Sequence, residues 1–219
     1  MSTYRSLYRL PLATSLTLAV LGITACDNDP AKGKSTASVA EPVTVQASAP
    51  SSVATKYAFS AADSTLAFTG AKVTGKHEGS FGAFTGTIQL GDNNPEKGSV
   101  SVDIDMPSLS VDAPKLTAHL KSPDFFDVAK FPKARFVSTS VKGGGENGAS
   151  HTVTGNLELH GVTKSITFPA TIKPHGDGID VDAEFAINRK DFGVVYPGAP
   201  DDLIKDEILI KLQVRSKKS

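Results

Sequence analysis

Ser99-Val100-Ser101-Val102-Asp103-Ile104-Asp105-Met106 alternates without a break. Val100, Val102, Ile104 and Met106 share one side, and Ser99, Ser101, Asp103 and Asp105 take the other. Successive side chains of a strand point to opposite faces, so this stretch reads as a β-strand with one dry and one wet face. The same period returns at Ile166, Phe168, Ala170 and Ile172, and again at Ile208, Ile210, Leu212 and Val214. Ile179, Val181, Ala183, Phe185 and Ile187 repeat it against Asp180, Asp182 and Glu184. Weaker runs cover residues 57–61, 65–73, 80–90, 135–141 and 152–159. Between them lie turn signals: Gly91-Asp92-Asn93-Asn94-Pro95, the glycine-rich stretch 143–148, and His175-Gly176-Asp177-Gly178. Eight or nine antiparallel strands on such short connections predict an all-β chain, closed as a barrel or stacked as a sandwich. A barrel of about eight strands leaves an interior just wide enough for side chains or one small ligand.

One stretch departs from the alternation. Pro114 to Ser122 reads as a short helix, with Pro114 placed in the first turn and Leu116 and Leu120 on one face. Pro123 ends it, and the aromatic segment Asp124-Phe125-Phe126-Asp127-Val128-Ala129-Lys130-Phe131-Pro132 follows. A helix and aromatic loop inside an all-β chain either cap the core or cover the mouth of a cavity.

Outward from the strands, the N-terminal part has a different composition. Residues 1–25 read as an export signal: Arg5 and Arg9, an apolar run from Leu10 to Ile23, then the small pair Thr24-Ala25. The run is shorter than the roughly 18–20 residues that span a bilayer. Cys26 is the chain's single cysteine, and Ile23-Thr24-Ala25-Cys26 resembles a bacterial lipobox. A lone cysteine has no internal disulfide partner, and lipidation accounts for its position. Stable anchoring takes more than one acyl chain, which a diacylglyceryl cysteine supplies. The expected location is the cell envelope, facing the periplasm, anchored by Cys26. Residues 26–55 contain no aromatic residue and are rich in Ala, Ser, Thr and Pro, so they read as a disordered tether. A strand within that tether is expected to be broken by Pro42. Residues 56–219 hold all eleven phenylalanines and form the one folded domain.

Charge excludes some partners. The chain carries 23 basic and 23 acidic residues, and loss of Arg5 and Arg9 leaves 21 against 23. No basic stripe suits nucleic acid. Catalytic signatures are missing as well. Gly143-x-Gly145-x-x-Gly148 matches a dinucleotide fingerprint in letters but falls between two strands, so it reads as a hairpin loop. Asp191-Phe192-Gly193 lacks every other kinase element. The five histidines are scattered, and no cysteine in the domain completes a zinc set. His119 is expected to bond a nearby backbone group, and His160-Gly161 to form a hairpin turn. The chain reads as a binding protein and not an enzyme, with no metal and no cofactor.

Several blocks together resemble the YceI-like family. They are His77-x-Gly79-x-Phe81, the run from His119 to Pro132, Phe136-x-Ser138-Thr139, the run from Gly155 to Lys164, and Asn188-Arg189-x-Asp191-Phe192-Gly193-Val194. Leu116-Thr117 stands where the family often has an Arg-Asp pair. The resemblance covers nearly all of residues 56–213. It implies an extended eight-stranded antiparallel lipocalin-like β-barrel with one short helical insertion, and an apolar cavity for a polyisoprenoid or isoprenoid quinone. The ligand-contacting residues expected on that basis are Phe81, Phe84, Phe125, Phe126, Phe131 and Phe136, with Phe168 and Phe185 on inward faces. The alternative is an envelope interaction protein whose barrel is filled by its own side chains and holds no lipid. Oligomeric state is left open, a dimer included.

Overall fold

The computed structural model describes residues 28–44 and 54–219. The alternating runs become strands: β1 (Ser38–Ala40), β2 (Ala54–Ser60), β3 (Thr65–Lys72), β4 (Gly75–Phe81), β5 (Phe84–Gly91), β6 (Asn94–Asp105) and β7 (Leu109–Val111). After the helix α1 (Pro114–Lys121) come β8 (Lys133–Gly143), β9 (His151–Leu159), β10 (Val162–His175) and β11 (Gly178–Asn188). A two-stranded flap, β12 (Gly198–Ala199) and β13 (Asp202–Leu203), precedes the last strand, β14 (Glu207–Lys218).

The barrel's pairing is antiparallel and follows chain order. β2 and β3 form one bent stave, because both pair with β14. β5 pairs with β2 while β4 pairs with β3, and β6 pairs with β5 while β7 pairs with β4. These three bent staves continue through β8, β9, β10 and β11 to β14, which returns to the first. The result is the eight-stranded antiparallel barrel expected from the sequence. Closure leaves no free sheet edge along the circuit except where β10 and β11 part beyond Thr171 and Asp182.

The bends have local causes. The amide of Ser64 donates to Ser60 O at 3.0 Å, turning the chain between β2 and β3. A 3-10 turn at Met106–Ser108 separates β6 from β7, and Gly82, between β4 and β5, donates its amide to Ser108 O at 3.2 Å. The apolar run 80–90 is therefore interrupted at Gly82 and Ala83. Two hairpins use consecutive left-handed residues: Asp92 and Asn93 at φ 54° and 55°, and His160 and Gly161 at 52° and 75°. Two such residues in a row twist a hairpin as its strands twist. At Gly161 a Cβ would stand 2.4 Å from the Phe131 ring, so space and backbone both require glycine. The glycine-rich stretch 143–148 is, as expected, a hairpin loop, here between β8 and β9.

The two long connections, 112–132 and 189–206, cross one end of the barrel, which we call the mouth. Tyr196 of the second contacts His119 and Phe125 of the first. The hairpins β5–β6, β8–β9 and β10–β11 lie at the opposite end.

The structure corrects the reading of residues 26–55 as a free tether wherever it describes them. β10 and β11 pair only from Thr171 and Asp182 to their shared turn, and toward the mouth they separate. Residues 35–40 fill that seam. β1 pairs with Thr167, Ile166 and Ser165 of β10, and the amide of Ala37 donates to Ala186 O of β11 at 2.8 Å. In return the Ala186 amide donates to Ser35 O at 2.9 Å. Ala31, Ser35 and Ala37 are buried. Farther along, Val43 exchanges two hydrogen bonds with the Asn156 side chain, at 3.0 and 2.7 Å. Composition argues that such a segment buries too little apolar surface to order itself. Here the barrel supplies unpaired backbone groups, and small side chains are what fit the gap. Pro42 does follow the strand, which ends two residues earlier. Cys26 and residues 1–25 lie outside the described residues.

Candidate functional site: an aromatic-walled cavity

The inward rows of the staves do not fill the barrel. They surround a cavity of about 200 Å³ that runs from beneath Phe126 and Val194 at the mouth to Ile88, Val181 and Val214 near the middle. Tyr57, Leu90 and Ile179 are buried beyond it and close the hairpin end. Among the described residues, Thr65 and Arg189 are the only polar ones in the wall.

Strand alternation places the aromatic wall. Phe136 of β8, Phe168 of β10 and Phe185 of β11 form a ladder, with ring centroids 5.8 and 4.2 Å apart, the second pair stacked. Phe168 and Phe185 meet across the splayed seam, so ring stacking joins two strands whose backbones are separated by residues 35–40. Phe81 and Phe84, one from each half of the second stave, also line the cavity, and Phe126 reaches it from the loop after α1. Six of the eight expected phenylalanines thus share one wall. Phe125 and Phe131 do not. Phe125 is 5% exposed, in a three-ring cluster with His119 and Tyr196 at about 5 Å. Phe131 lies edge-on to His160 at 4.8 Å, with the Lys130 ammonium 5.0 Å from its ring centre. Both tie the covering loops to the barrel rim. Phe59 and Phe68, which the sequence did not single out, belong to the wall. Their strands are the weaker alternating runs, where the inward face is harder to choose.

Arg189 is the charged residue of the wall, and it is 5% exposed. Its Nε donates to Lys205 O at 3.1 Å, Nη1 to Val194 O at 2.7 Å, and Nη2 to Asp206 Oδ1 at 3.2 Å. Burial pushes the guanidinium below its ordinary value, and Asp206 opposes that shift. Arginine stays charged through such a change. Its fixed fork therefore clamps both ends of the segment 194–206 over the mouth. The side chain of Asn188 accepts from the Lys190 amide at 2.9 Å, and Gly193 at φ 74° ends the short turn that carries Arg189. His119 bonds not to backbone but to Asp124, Nε2 to Oδ2 at 2.9 Å. His160 adopts the hairpin turn expected of it, its Nδ1 3.2 Å from Phe192 O.

The family model of the YceI-like domain matches residues 57–216. The chain belongs to the YceI-like family. A UPF0312 protein of Pseudomonas putida (strain W619) is 39% identical over 141 residues, which is 61% of this chain and 71% of that one. A UPF0312 protein of Pseudomonas syringae pv. tomato is 39% identical over 128 residues, 55% of this chain and 65% of that one. Among solved structures, BcnA of Burkholderia cenocepacia superposes with a TM-score of 0.64 at 24% identity, covering 72% of this chain and 98% of its own. A polyisoprenoid binding domain from Saccharophagus degradans gives 0.59 at 14% identity, covering 76% of this chain and all of its own. At these identities the structural likenesses carry the fold. The YceI-like match also spans every strand from β3 to β11, so the cavity wall lies almost wholly inside the family domain.

Proposed function

We propose that this YceI-like barrel binds the long apolar tail of a polyisoprenoid or isoprenoid quinone, and that it carries or sequesters that lipid at the bacterial envelope. It acts by binding, without a chemical step, and is held to a membrane by a lipidated Cys26. The observation that carries the reading is the cavity: about 200 Å³, walled by aromatic and aliphatic side chains. An apolar void of roughly 150 Å³ stays dry and takes up a guest the size of benzene. The space here therefore admits the end of an isoprenoid tail, and further units enter as lining rings turn aside. A buried five-carbon unit offers roughly 3–4 kcal/mol before ordering costs, at about 0.8 kcal/mol per methylene. The fold shared with the polyisoprenoid binding domain from Saccharophagus degradans supports the same tail class.

The test is native mass spectrometry of the protein purified from membranes, with identification of apolar compounds in a solvent extract. An isoprenoid lipid bound one to one is the expected result. An empty barrel with a clean extract would favour the envelope interaction protein instead. The same spectra report Cys26: a diacylglyceryl mass is expected, and Cys26→Ser should release the protein from the membrane fraction while leaving it folded.

A further inference from the structure

The apolar residues left in solvent are not spread evenly. Among the described residues the exposed large hydrophobics are Val43, Val73, Val195 and Leu203, at 51, 58, 62 and 50%. The last three gather at the mouth. The Val73 amide donates to Leu203 O at 3.1 Å, and the Ile204 amide to Pro197 O at 3.0 Å. This stitches the β3–β4 turn to the flap made by β12 and β13. Val195 sits between Val194, which lines the cavity, and Tyr196, which packs on the helix loop. At the other end the turns present Asp92, Asn93, Glu146, Asn147 and Asp177. One end of the barrel exposes three aliphatic side chains, beside the Lys72–Asp202 ion pair, and adjoins the cavity; the other is polar and plugged.

The N-terminal segment leads to the mouth. The Asn28 side chain donates to Val73 O at 3.4 Å. From there the chain passes Lys34, ion-paired with Glu184 at 2.5 Å, into the seam between β10 and β11. Cys26 precedes Asn28 by two residues, and two residues span at most about 7 Å. A lipid on Cys26 is therefore within reach of Val73, whereas the turns at 92–93 and 176–177 are roughly 30 Å away along a tilted twelve-residue stave. The turn at 146–147 lies nearer, bonded to Ser35 of the segment itself.

We propose that the mouth is the membrane-facing end of the barrel. With Cys26 anchored, Val73, Val195 and Leu203 rest in the bilayer surface. The cavity then opens toward the acyl region, so an apolar tail moves between bilayer and barrel without crossing water. The proposal rests on the reading of Cys26 as the lipid anchor. Its test imposes that anchor chemically, so that the two stand or fall separately.

Protein beginning at Cys26 is coupled through that thiol to a maleimide-headgroup lipid in vesicles of phosphatidylethanolamine and phosphatidylglycerol. Its hydrogen exchange is compared with the same protein capped by N-ethylmaleimide in solution. Amides in 72–75 and 195–205 should exchange at least about fivefold more slowly on vesicles, with 92–95 and 175–178 unchanged. Protection at the polar turns, or at neither end, overturns the proposal. Val195→Asp combined with Leu203→Asp alters two exposed side chains and leaves the coupling intact. Protection at the mouth should fall below about twofold in this variant, and its persistence would refute apolar contact with the bilayer. The mass of Cys26 from native membranes tests the anchor by itself, whatever this experiment returns.

Discussion

Phe125 and Phe126 are sequence neighbours in the loop after α1, yet their rings end in different places. Phe125 closes a ring cluster with His119 and Tyr196 outside the cavity, and Phe126 enters the wall. Removing them should therefore have separable effects. Phe125→Ala leaves a void in a packed cluster, at a cost of about 3–5 kcal/mol. For a domain of this size each kcal/mol lowers the melting temperature by roughly 2–4 °C, so a fall near 10 °C is expected. Phe126→Ala opens space that already adjoins a cavity and should cost only about 1 kcal/mol. Its effect should instead appear in calorimetric titration with a farnesyl-length tail, as an affinity weakened several-fold. Equal losses of stability in the two variants would show that Phe126 is packed core.

At the scale of the element, the segment 35–40 behaves as a ninth strand set into an eight-stave barrel. It supplies partners to Ser165–Thr167 of β10 and to Ala186 of β11, groups that closure of the barrel leaves unpaired. An unpaired buried backbone group costs about as much as a lost hydrogen bond, so this strand and the barrel stabilise each other. Ala37 is buried in the cluster that holds Phe168 and Phe185, where a guanidinium would be taken out of water. Ala37→Arg should expel the segment and lower stability by about 1–3 kcal/mol. The diagnostic is the Ala186 amide, whose acceptor is Ser35 O. Its hydrogen exchange should accelerate strongly while amides in β9 and β14 stay protected. An unchanged rate at Ala186 would mean that β11 does not depend on the inserted strand.

For the whole molecule the decisive property is that the barrel's strands enclose space that its side chains do not fill. Recognition by burial makes a distinctive set of predictions. Affinity should rise with the number of isoprene units and level off once the cavity and its movable rings are used up. Binding should carry a negative heat-capacity change, as apolar burial requires. Salt should matter little, because the chain is close to neutral and its buried cation is committed to Asp206 and three backbone carbonyls. Calorimetry with tails of two, four and eight units checks all three. Equal affinity across that series, or marked weakening in moderate salt, would mean that something other than the tail is recognised.

Much of this architecture is legible before any folding. Period-two alternation at 99–106, 166–172, 179–187 and 208–214 dictates which side chains share a face, because the strand itself has that period. It correctly sends Phe168 and Phe185 inward. The His160-Gly161 turn and the start of α1 at Pro114 follow from equally local rules. Three features do not. No periodicity applies in the loop 122–132, so nothing local separates the cavity-facing Phe126 from Phe125 and Phe131. The insertion of residues 35–40 depends on a gap between β10 and β11 that exists only once the barrel has closed. Nothing local marks Arg189 as buried; the segment 204–206, just before β14, has to fold back against it to supply Ile204 O, Lys205 O and Asp206. Pattern fixes the face of each strand, since it is set by neighbouring residues. Void, seam and clamp are sums over elements far apart in the chain, and only their assembly in three dimensions decides them.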